Sequence, residues 1–498
     1  RAREAPIPMS AAKVIPIERA WGAGSQLGEL PYWSRQPSPV DADLRTALAA
    51  LRARSRDTAQ NNDHARQFLR MVEQNIIGPR GIAVQSRARF NNGRQDKVAT
   101  RLIEEGYARQ SERGQWDASG QLTRAQFARV AVRAAAVDGE VLIRLLPAWD
   151  NDFGFAVQLI DAETLDLDYN ADLPDASIRM GVEMDRYRRP IAYHLCDAPD
   201  ATRRGYRPRK RARVPAEQIL HVYLPEWVWQ SRGVPWMATS VQRMKMLVGY
   251  EDAAITAARV SAIKSHVYVQ TPDANPNIAP GEKTDSEIRQ ELDNGMAEIL
   301  PYGWDAKTLD FQWPHTEHGE FIKACLRGIS AGLGVSYNAI ASDLEGANYS
   351  SLRQGALAER DTWMMLQDWW IDWVERPLFE RWLEQAVGYR KLLRPSSQPL
   401  MPSNLLNLRR ATFQPRRWAW VDPLKDTQAN KEAVAMRTRS ISDIIREQGR
   451  DPDEVWAELA SDMERLEALG LQVTPNAADN PNQNTDPNAD GDAGQDQD

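Results

Sequence analysis

Residues 345 to 382 read EGANYSSLRQGALAERDTWMMLQDWWIDWVERPLFERW, a polar, glycine-opened loop running into a helix-compatible stretch that carries five tryptophans. Within it Trp363, Leu366, Trp370 and Trp373 recur at spacings of 3, 4 and 3, which places them on one face of an α-helix. So much aromatic surface on one rod has to be gripped by protein on several sides, and Pro377 is expected to kink or end the rod. The whole chain has 17 Trp in 498 residues, against a usual share of about one residue in 80, and interface cores favour this side chain. The excess points towards an oligomer.

At 498 residues and 42% hydrophobic, the chain can bury sizeable cores in two to four domains. No apolar run approaches the roughly 18 residues of a membrane span, and the first residues, RAREAPIPMSAAKVIPIERA, lack the apolar centre of a signal peptide. Neither membrane nor export is expected, and a cytoplasmic setting fits. Cys196 and Cys325 stand 129 positions apart, which excludes a disulfide framework and a cysteine-based zinc site. The net charge is −7, and the last 24 residues hold six Asp and no Lys or Arg, so the rest carries about −1. That tail has nothing apolar to bury and is expected to be disordered. A protein that grips nucleic acid by neutralising phosphates should be strongly basic, and this body is not.

Helical spacing begins at DLRTALAALRARSRD and continues through HARQFLRMVEQNIIG, where Gly78 and Pro79 stop it. From 128 to 223 the period shifts towards two: EVLIRLLPA, FAVQLIDAETLDLD, GVEMDRYRRPIAYHL and QILHVYL alternate, with DRYRRP as a hairpin turn. The fold class is therefore α+β. Between these strands seven of the eleven residues from 203 to 213 are basic: Arg203, Arg204, Arg207, Arg209, Lys210, Arg211 and Arg213. As a run they read either as a solvated loop or as a patch for an acidic partner. A stretch of about 27 residues, SVQRMKMLVGYEDAAITAARVSAIKSH, follows with small residues that include Ala254, Ala257 and Ala258, which suit close helix approach. A second helix, FIKACLRGISAGLG, stripes Ile322, Leu326, Ile329 and Leu333 beside Gly328 and Gly332 and stops at Gly334. Between the two lies a hairpin-like insert, read as a short helix at TDSEIRQELDNG and strands at MAEIL and KTLDFQW.

Catalytic patterns fail one by one. APGEKT lacks the contiguous Gly-Lys-Thr of a phosphate loop, since Glu282 intervenes and Pro276 stands where the first Gly belongs. His315 and His318 are three apart beside Glu320, which suits a polar helix cap better than a zinc helix, and His194 with Cys196 reads as a pair on a strand surface. No nucleophile elbow is present. No catalytic residue, metal or cofactor is expected.

The ordered set LRARSRD (51–57), NIIGPRGIAVQ (75–85), DGEVLIRL (138–145), VQLIDAETLD (157–166), GVEMDRYRRPIAYHL (181–195), ILHVYLPEWVWQSRGVP (219–235), GYEDA (249–253) and GISAGLGVSYNAIASDLEGANYSSLR (328–353) resembles the lambda family of tailed-phage portal proteins over roughly residues 45 to 470. The first residue is Arg rather than Met, as expected of a processed, trimmed or incompletely given chain, and the acidic tail has no counterpart in the resemblance.

The resemblance implies a portal-protein fold with an α+β wing, long stem helices, a small α/β clip and a helical crown, assembled as a ring, usually of twelve. It implies an N-terminal arm at 1–60, wing at 61–238, stem helices at 239–265 and 318–334, clip at 266–317, tunnel loop at 335–349, a long Trp-rich wing and crown helix at 350–395, crown at 396–474 and tail at 475–498. The implied partners are double-stranded DNA in the channel, the terminase large subunit, the major capsid or scaffolding protein and the neck proteins, with no membrane. The implied location is the portal vertex of the virion, and the host bacterial cytoplasm during assembly. Tyr337, Asn338, Asp343, Glu345, Asn348 and Tyr349 would belong to an exposed, mobile tunnel loop. Ala254, Ala257, Ala258, Gly328, Gly332, Trp363, Trp370 and Trp373 would pack subunits together. Another ring-forming head-to-tail connector, or a packaging enzyme, are the alternatives; the former are generally much shorter chains, and the latter needs a phosphate loop or acidic metal cluster.

Overall fold

The order of helix-starting and helix-stopping residues sets most of the architecture. A computed structural model describes residues 38–196, 210–262, 266–270, 304–308, 318–343, 345, 349–418, 423–448 and 450–470. The chain enters α1 (Val40–Asn61) through Pro39, and the Asn62 side chain accepts from the Ala65 N–H to cap α2 (Asp63–Val72). A π-helical turn, Glu73–Ile77, follows and ends where expected, at Gly78. Residues 40–60 are not an arm. Leu44 and Leu48 of α1 pack with Met180, and Arg52 is buried, so α1 belongs to the body.

After β1 (Ala83–Ser86), α3 (Lys97–Gln110) starts at Asp96, whose carboxylate accepts from Ala99 N–H. The stretch expected to turn strand-like at residue 128 begins instead as α4 (Arg124–Asp138). Thr123 and Gln126 form a capping box there, and Phe127, Ala128, Ala131, Val132, Ala135 and Ala136 supply a buried helical face. The strands follow: β2 (Glu140–Pro147), β3 (Phe155–Ile160), β4 (Ala171–Asp172), β5 (Ala176–Arg179), β6 (Val182–Asp185), β7 (Pro190–Cys196), β8 (Arg211–Pro215) and β9 (Ile219–Tyr223). They form one three-stranded sheet, β3-β2-β9, and one five-stranded sheet, β4-β5-β6-β7-β8, every pairing antiparallel. The expected hairpin at DRYRRP joins β6 to β7, with a bulge at Glu183 and Met184.

Next come α5 (Val241–Ala262), the paired strands β10 (His266–Gln270) and β11 (Trp304–Thr308), α6 (His318–Leu333), α7 (Tyr337–Ala341) and α8 (Tyr349–Trp370). Residues 271–303, including the expected strand MAEIL and the helix before it, lie outside the described residues, and KTLDFQW enters a described strand only at 307–308. Helix α8 neither breaks nor ends at Pro377. It widens into a π-helical turn, Ile371–Glu375, and continues as α9 (Arg376–Gly388), with Pro377 as its second residue directly after the widened turn. The chain closes with α10 (Leu405–Leu408), β12 (Ala411–Gln414, paired with β1), α11 (Pro423–Ala435), α12 (Ile441–Glu447) and α13 (Pro452–Ala468).

The main core collects the buried faces of α2, α3, α4, the three-stranded sheet, α6, α8 and α9. Trp370 and Trp382 are fully buried in it, and Tyr107 lies 4.8 Å from Trp382 and 6.0 Å from Trp116 between ring centroids. Trp370→Ala is expected to cost about 3–5 kcal/mol of stability, the range for deleting a buried aromatic.

Beside that core sits a charge wholly out of water. The Glu140 carboxylate, at the start of β2, accepts from Arg52 Nη2 at 2.5 Å, Arg232 Nε at 2.7 Å, His221 Nε2 at 2.9 Å and the Gly233 N–H at 2.7 Å. Burial pushes its pKa up, but the two guanidiniums and the imidazole outweigh this and hold it well below the usual carboxylate range. The same cations reach further: Arg232 donates to the carbonyls of Met180 and Ala162, and Arg52 to that of Asp138. Only glycine lets the two loops approach, since a Cβ on Gly139 would lie 2.4 Å from the Val234 carbonyl carbon.

Glu140→Gln leaves both guanidiniums buried without a counter-charge and is expected to lose about 3–5 kcal/mol in chemical denaturation. A depressed carboxylate stabilises the fold fully above its unfolded pKa of about 4.3, and that stability is lost as pH falls through the lower folded value. Below about pH 4 the wild-type chain should therefore lose stability more steeply than Glu140→Gln, as denaturation midpoints measured across acidic pH will read.

Candidate functional site

Helices α5 and α6 form an antiparallel pair, tied at both ends. At one end Thr239 Oγ1 donates to the Gly332 carbonyl at 3.0 Å and Ser240 Oγ to that of Ile329 at 3.1 Å. The Gly332 carbonyl lies in the last turn of α6 and has no partner within the helix, so the hydroxyl satisfies it. At the other end Tyr250 Oη lies 3.0 Å from His318 Nδ1, and the Tyr250 ring packs on Phe321 at 4.9 Å. The stripe read from sequence is the inward face, with Leu326, Ile329 and Leu333 buried and Ile322 packed against the core.

The small residues divide. A Cβ on Gly332 would stand 2.3 Å from Ser240 Oγ, so the glycine sits at a close approach between the end of α6 and the residue that leads into α5, within one chain. The corresponding contact at Gly328 is to the end of the flexible Arg243 side chain. Ala254 is buried, while Ala257 and Ala258 are half-buried. Met246, Ile255 and Phe321 leave apolar surface on the same pair, 68%, 60% and 50% exposed.

Helix α6 ends in a Schellman turn: Gly334 N–H bonds to the Ala331 carbonyl, Val335 N–H to that of Ser330, and Gly334 adopts φ +68°. The stretch beyond is more ordered than its polar sequence suggests. Residues 337–341 form α7, Ile340 is buried, and Gln67 of α2 donates to the Ala339 carbonyl. A glutamate of α8 holds both sides, with Glu359 accepting from Ser336 N–H at 3.3 Å and from Trp363 Nε1 at 3.1 Å. The stretch expected to be a mobile loop is thus in part a helix fastened to the body. Asn338 is half-buried, while Tyr337 Oη donates to Asp343 at 2.8 Å and the Glu345 N–H to the same carboxylate at 2.9 Å. The Glu345 and Tyr337 donors hold the Asp343 carboxyl below its ordinary value, whereas desolvation and the Asp343 charge raise the Tyr337 phenol. Asn348 and the side chain of Tyr349 lie outside the described residues.

The tryptophans serve the chain's own core, which corrects their expected place between subunits. Trp363 is 3% exposed and Trp370 is fully buried, so neither has surface left for a neighbour. Trp373 is half-buried against Tyr223, with ring centroids 5.4 Å apart. Trp369 Nε1 donates to the Tyr223 carbonyl.

Of the basic run, Arg203, Arg204, Arg207 and Arg209 lie outside the described residues. Lys210 is exposed at the entry to β8, but Arg211 binds Asp166 at 2.6 Å and lies 3.9 Å over the Tyr169 ring. Arg213 grips Glu183 with two bonds, 2.7 and 2.9 Å long. That pairing and the bond to His194 hold the Glu183 carboxyl below its ordinary value, against the opposing pull of burial. Two of the seven cations are therefore sheet ion pairs rather than patch. His194 and Cys196 are likewise buried, not a surface pair. Among the described residues no cluster of His, Cys, Asp or Glu could hold a metal, and no described helix is long and apolar enough to cross a membrane.

The sequence blocks that carried the resemblance meet in space. LRARSRD supplies Arg52 and Arg56, DGEVLIRL supplies Asp138 and Glu140, VQLIDAETLD supplies Asp161, and the stretch 219–235 supplies His221, Arg232 and Gly233. Arg56 bonds both Asp138 oxygens, at 2.6 and 2.9 Å, and Asp161 at 2.8 Å. The family model described as phage portal protein, lambda family, matches residues 28–367. The chain belongs to the lambda family of phage portal proteins. It is 34% identical over 450 residues to the probable portal protein of Halomonas phage phiHAP-1, covering 88% of this chain and 85% of that one. It is 23% identical over 502 residues to portal protein B of Escherichia phage lambda, covering 91% and 90%. A chain from the neck of an empty GTA particle aligns at 12% identity and a TM-score of 0.44, over 82% of this chain and 94% of that one, a distance that leaves the assignment to the sequence relatives. Portal proteins of this family are structural components of the virion, not enzymes.

Gly332→Ala is expected to lose about 1–3 kcal/mol by overpacking against Ser240. Gly328→Ala should cost less, because Arg243 can swing aside. Ser240→Ala placed together with Gly332→Ala should recover part of the loss, and thermal melts of the four chains form the cycle that measures it.

Proposed function

We propose that twelve copies of this chain close into a ring at one capsid vertex, and that double-stranded DNA enters and leaves through its axis. The observation that carries the reading is the α5–α6 pair. It is held rigid at both ends, keeps apolar surface outward at Met246, Ile255 and Phe321, and bears an insert at one end and a clasped loop at the other. In a ring the outward surface is covered by neighbouring pairs through heterologous contacts that close. Residues 266–317 then form the end that meets the terminase large subunit during packaging and the neck proteins afterwards.

Tyr337, Asn338, Asp343, Glu345, Asn348 and Tyr349 face the channel. Carboxylates repeated around the axis keep contact with phosphates weak, as a conduit requires, and the near-neutral body agrees with sliding rather than gripping. The basic segment 203–210 lies on the outer wing, towards capsid or scaffold. Assembly takes place in the host cytoplasm.

Native mass measurement is expected to find a particle of about 674 kDa, twelve chains of 56.2 kDa each. A stable monomer at micromolar concentration would contradict the ring. Replacing residues 338–347 by two glycines removes most of α7 together with the loop, so the more conservative Asp343→Asn/Glu345→Gln tests the channel role. Rings of this variant are expected to form normally and to package or retain DNA less well, and normal DNA content in such particles would refute the assignment.

A further inference from the structure

Residues 226–231 make a rigid turn that presents bare aromatic surface. Trp227, Val228 and Trp229 are 63%, 80% and 72% exposed, and Tyr187 on the neighbouring β6–β7 turn is 75% exposed. Exposure on this scale normally accompanies a loose loop, yet this one is fastened at every turn. The Gln230 side chain accepts from the N–H groups of Glu226 and Trp227 and donates to the Arg232 carbonyl. Tyr223 Oη holds the Gln230 carbonyl, and Arg188 donates to the Trp229 carbonyl at 2.7 Å with its guanidinium 5.4 Å from the Trp229 ring. Trp229 itself is fixed at φ +68°, a conformation that costs a bulky residue energy. Behind the turn opens a cavity of about 300 Å³ lined by Met184, Arg188, Tyr193, Tyr223, Trp229 and Trp373, room for one bulky side chain.

The beginning of the described chain lies at the same place. Asp41, in the first turn of α1, accepts from both the N–H and the hydroxyl of Ser231, at 2.9 and 2.7 Å, and lies 3.9 Å from Arg188. The segment before α1 therefore leaves beside the turn. It carries Pro31, Tyr32, Trp33 and Ser34, with Trp33 seven residues before Val40, a tether of about 25 Å at full extension. Ser231 and Trp229 are only two residues apart, so the tether reaches easily. A short tether also gives its own chain a high effective concentration at the site over any other occupant.

We propose that the segment 31–34 folds back over the 227–229 turn of its own chain and seats Trp33 in the cavity beside Trp229. The segment thereby pins the start of α1 to the wing and covers an aromatic patch that would otherwise face solvent. Its chemistry fits: an indole meets two tyrosines, two tryptophans and a methionine, with a guanidinium at the rim.

The test uses the full chain with Ser34→Cys and Val228→Cys, Trp33 and both natural cysteines retained, treated with a short bismaleimide and mapped by mass spectrometry. The expected product joins residues 34 and 228 within one chain and migrates as a monomer on a denaturing gel. A dimer ladder joined through the same two residues would overturn the proposal in favour of a neighbouring copy's segment. Reaction at both thiols without a link would overturn it in favour of a foreign partner. A second measurement avoids the cysteines: in Trp33→Ala, amide hydrogen exchange of residues 224–231 should be several-fold faster than in the parent, while Trp21→Ala leaves it unchanged. Equal exchange in all three chains would overturn the proposal as well.

Discussion

A carboxylate taken wholly out of water is tolerable only when cations and donors surround it, and that condition at Glu140 reaches through most of the α+β body. Its four donors come from α1, β9 and the loop that leads to α5. The cations around it also bind carbonyls at the end of α4, after β3 and before β6. Two sheets and a helix that are far apart in sequence thus share one electrostatic centre. Hydrophobic contact would hold them together with some tolerance for sliding, whereas directional bonds to one carboxylate fix their angles. In an assembly whose subunits must match around a closed circle, small angular errors would accumulate from neighbour to neighbour.

Much of the framework could be read from residue spacing alone. The helices around residues 45–77, the strands from 140 to 223 and the stops at Gly78 and Gly334 follow from periodicity and from glycine's access to positive φ. Other features depend on partners distant in sequence. Glu140 looks like an ordinary strand-edge charge until Arg52 and Arg232 meet it, 88 and 92 residues away. Helix α4 was hidden because alanines and valines fit either period, and its capping box was the signal that could have decided. The tryptophans gave the right quantity of buried aromatic surface and the wrong location: counting them says how much must be covered, not whether the same chain covers it.

Charge counting along the sequence misleads in a similar way. The stretch 203–213 has seven cations, but β8 alternates its side chains, and Arg211 and Arg213, two apart on one face, each find a carboxylate on the sheet. What a strand can neutralise is set by its neighbours' register, which no local count contains. The loop after Gly334 offers the opposite case. Its polar letters conceal Ile340, which anchors α7, and Glu359, which clamps it to α8, so the stretch is held against the body at least as far as Ile340.

The π-helical turn at Ile371–Glu375 accommodates one residue more than an α-helical turn would, and each residue of an α-helix advances the face by about 100°. The rod on either side of it is therefore out of phase with itself. Ahead of the turn the buried direction is set by Trp363, Gln367 and Trp370, and beyond it by Leu378, Phe379 and Trp382, while Glu375 in the turn points inward to Arg124 at 2.6 Å. One continuous rod can in this way address two walls of the protein that do not face the same direction. The arrangement works as a phase shifter, with a setting fixed by a single residue: remove it and the far half, unchanged in composition, would turn its aromatic side chains towards water.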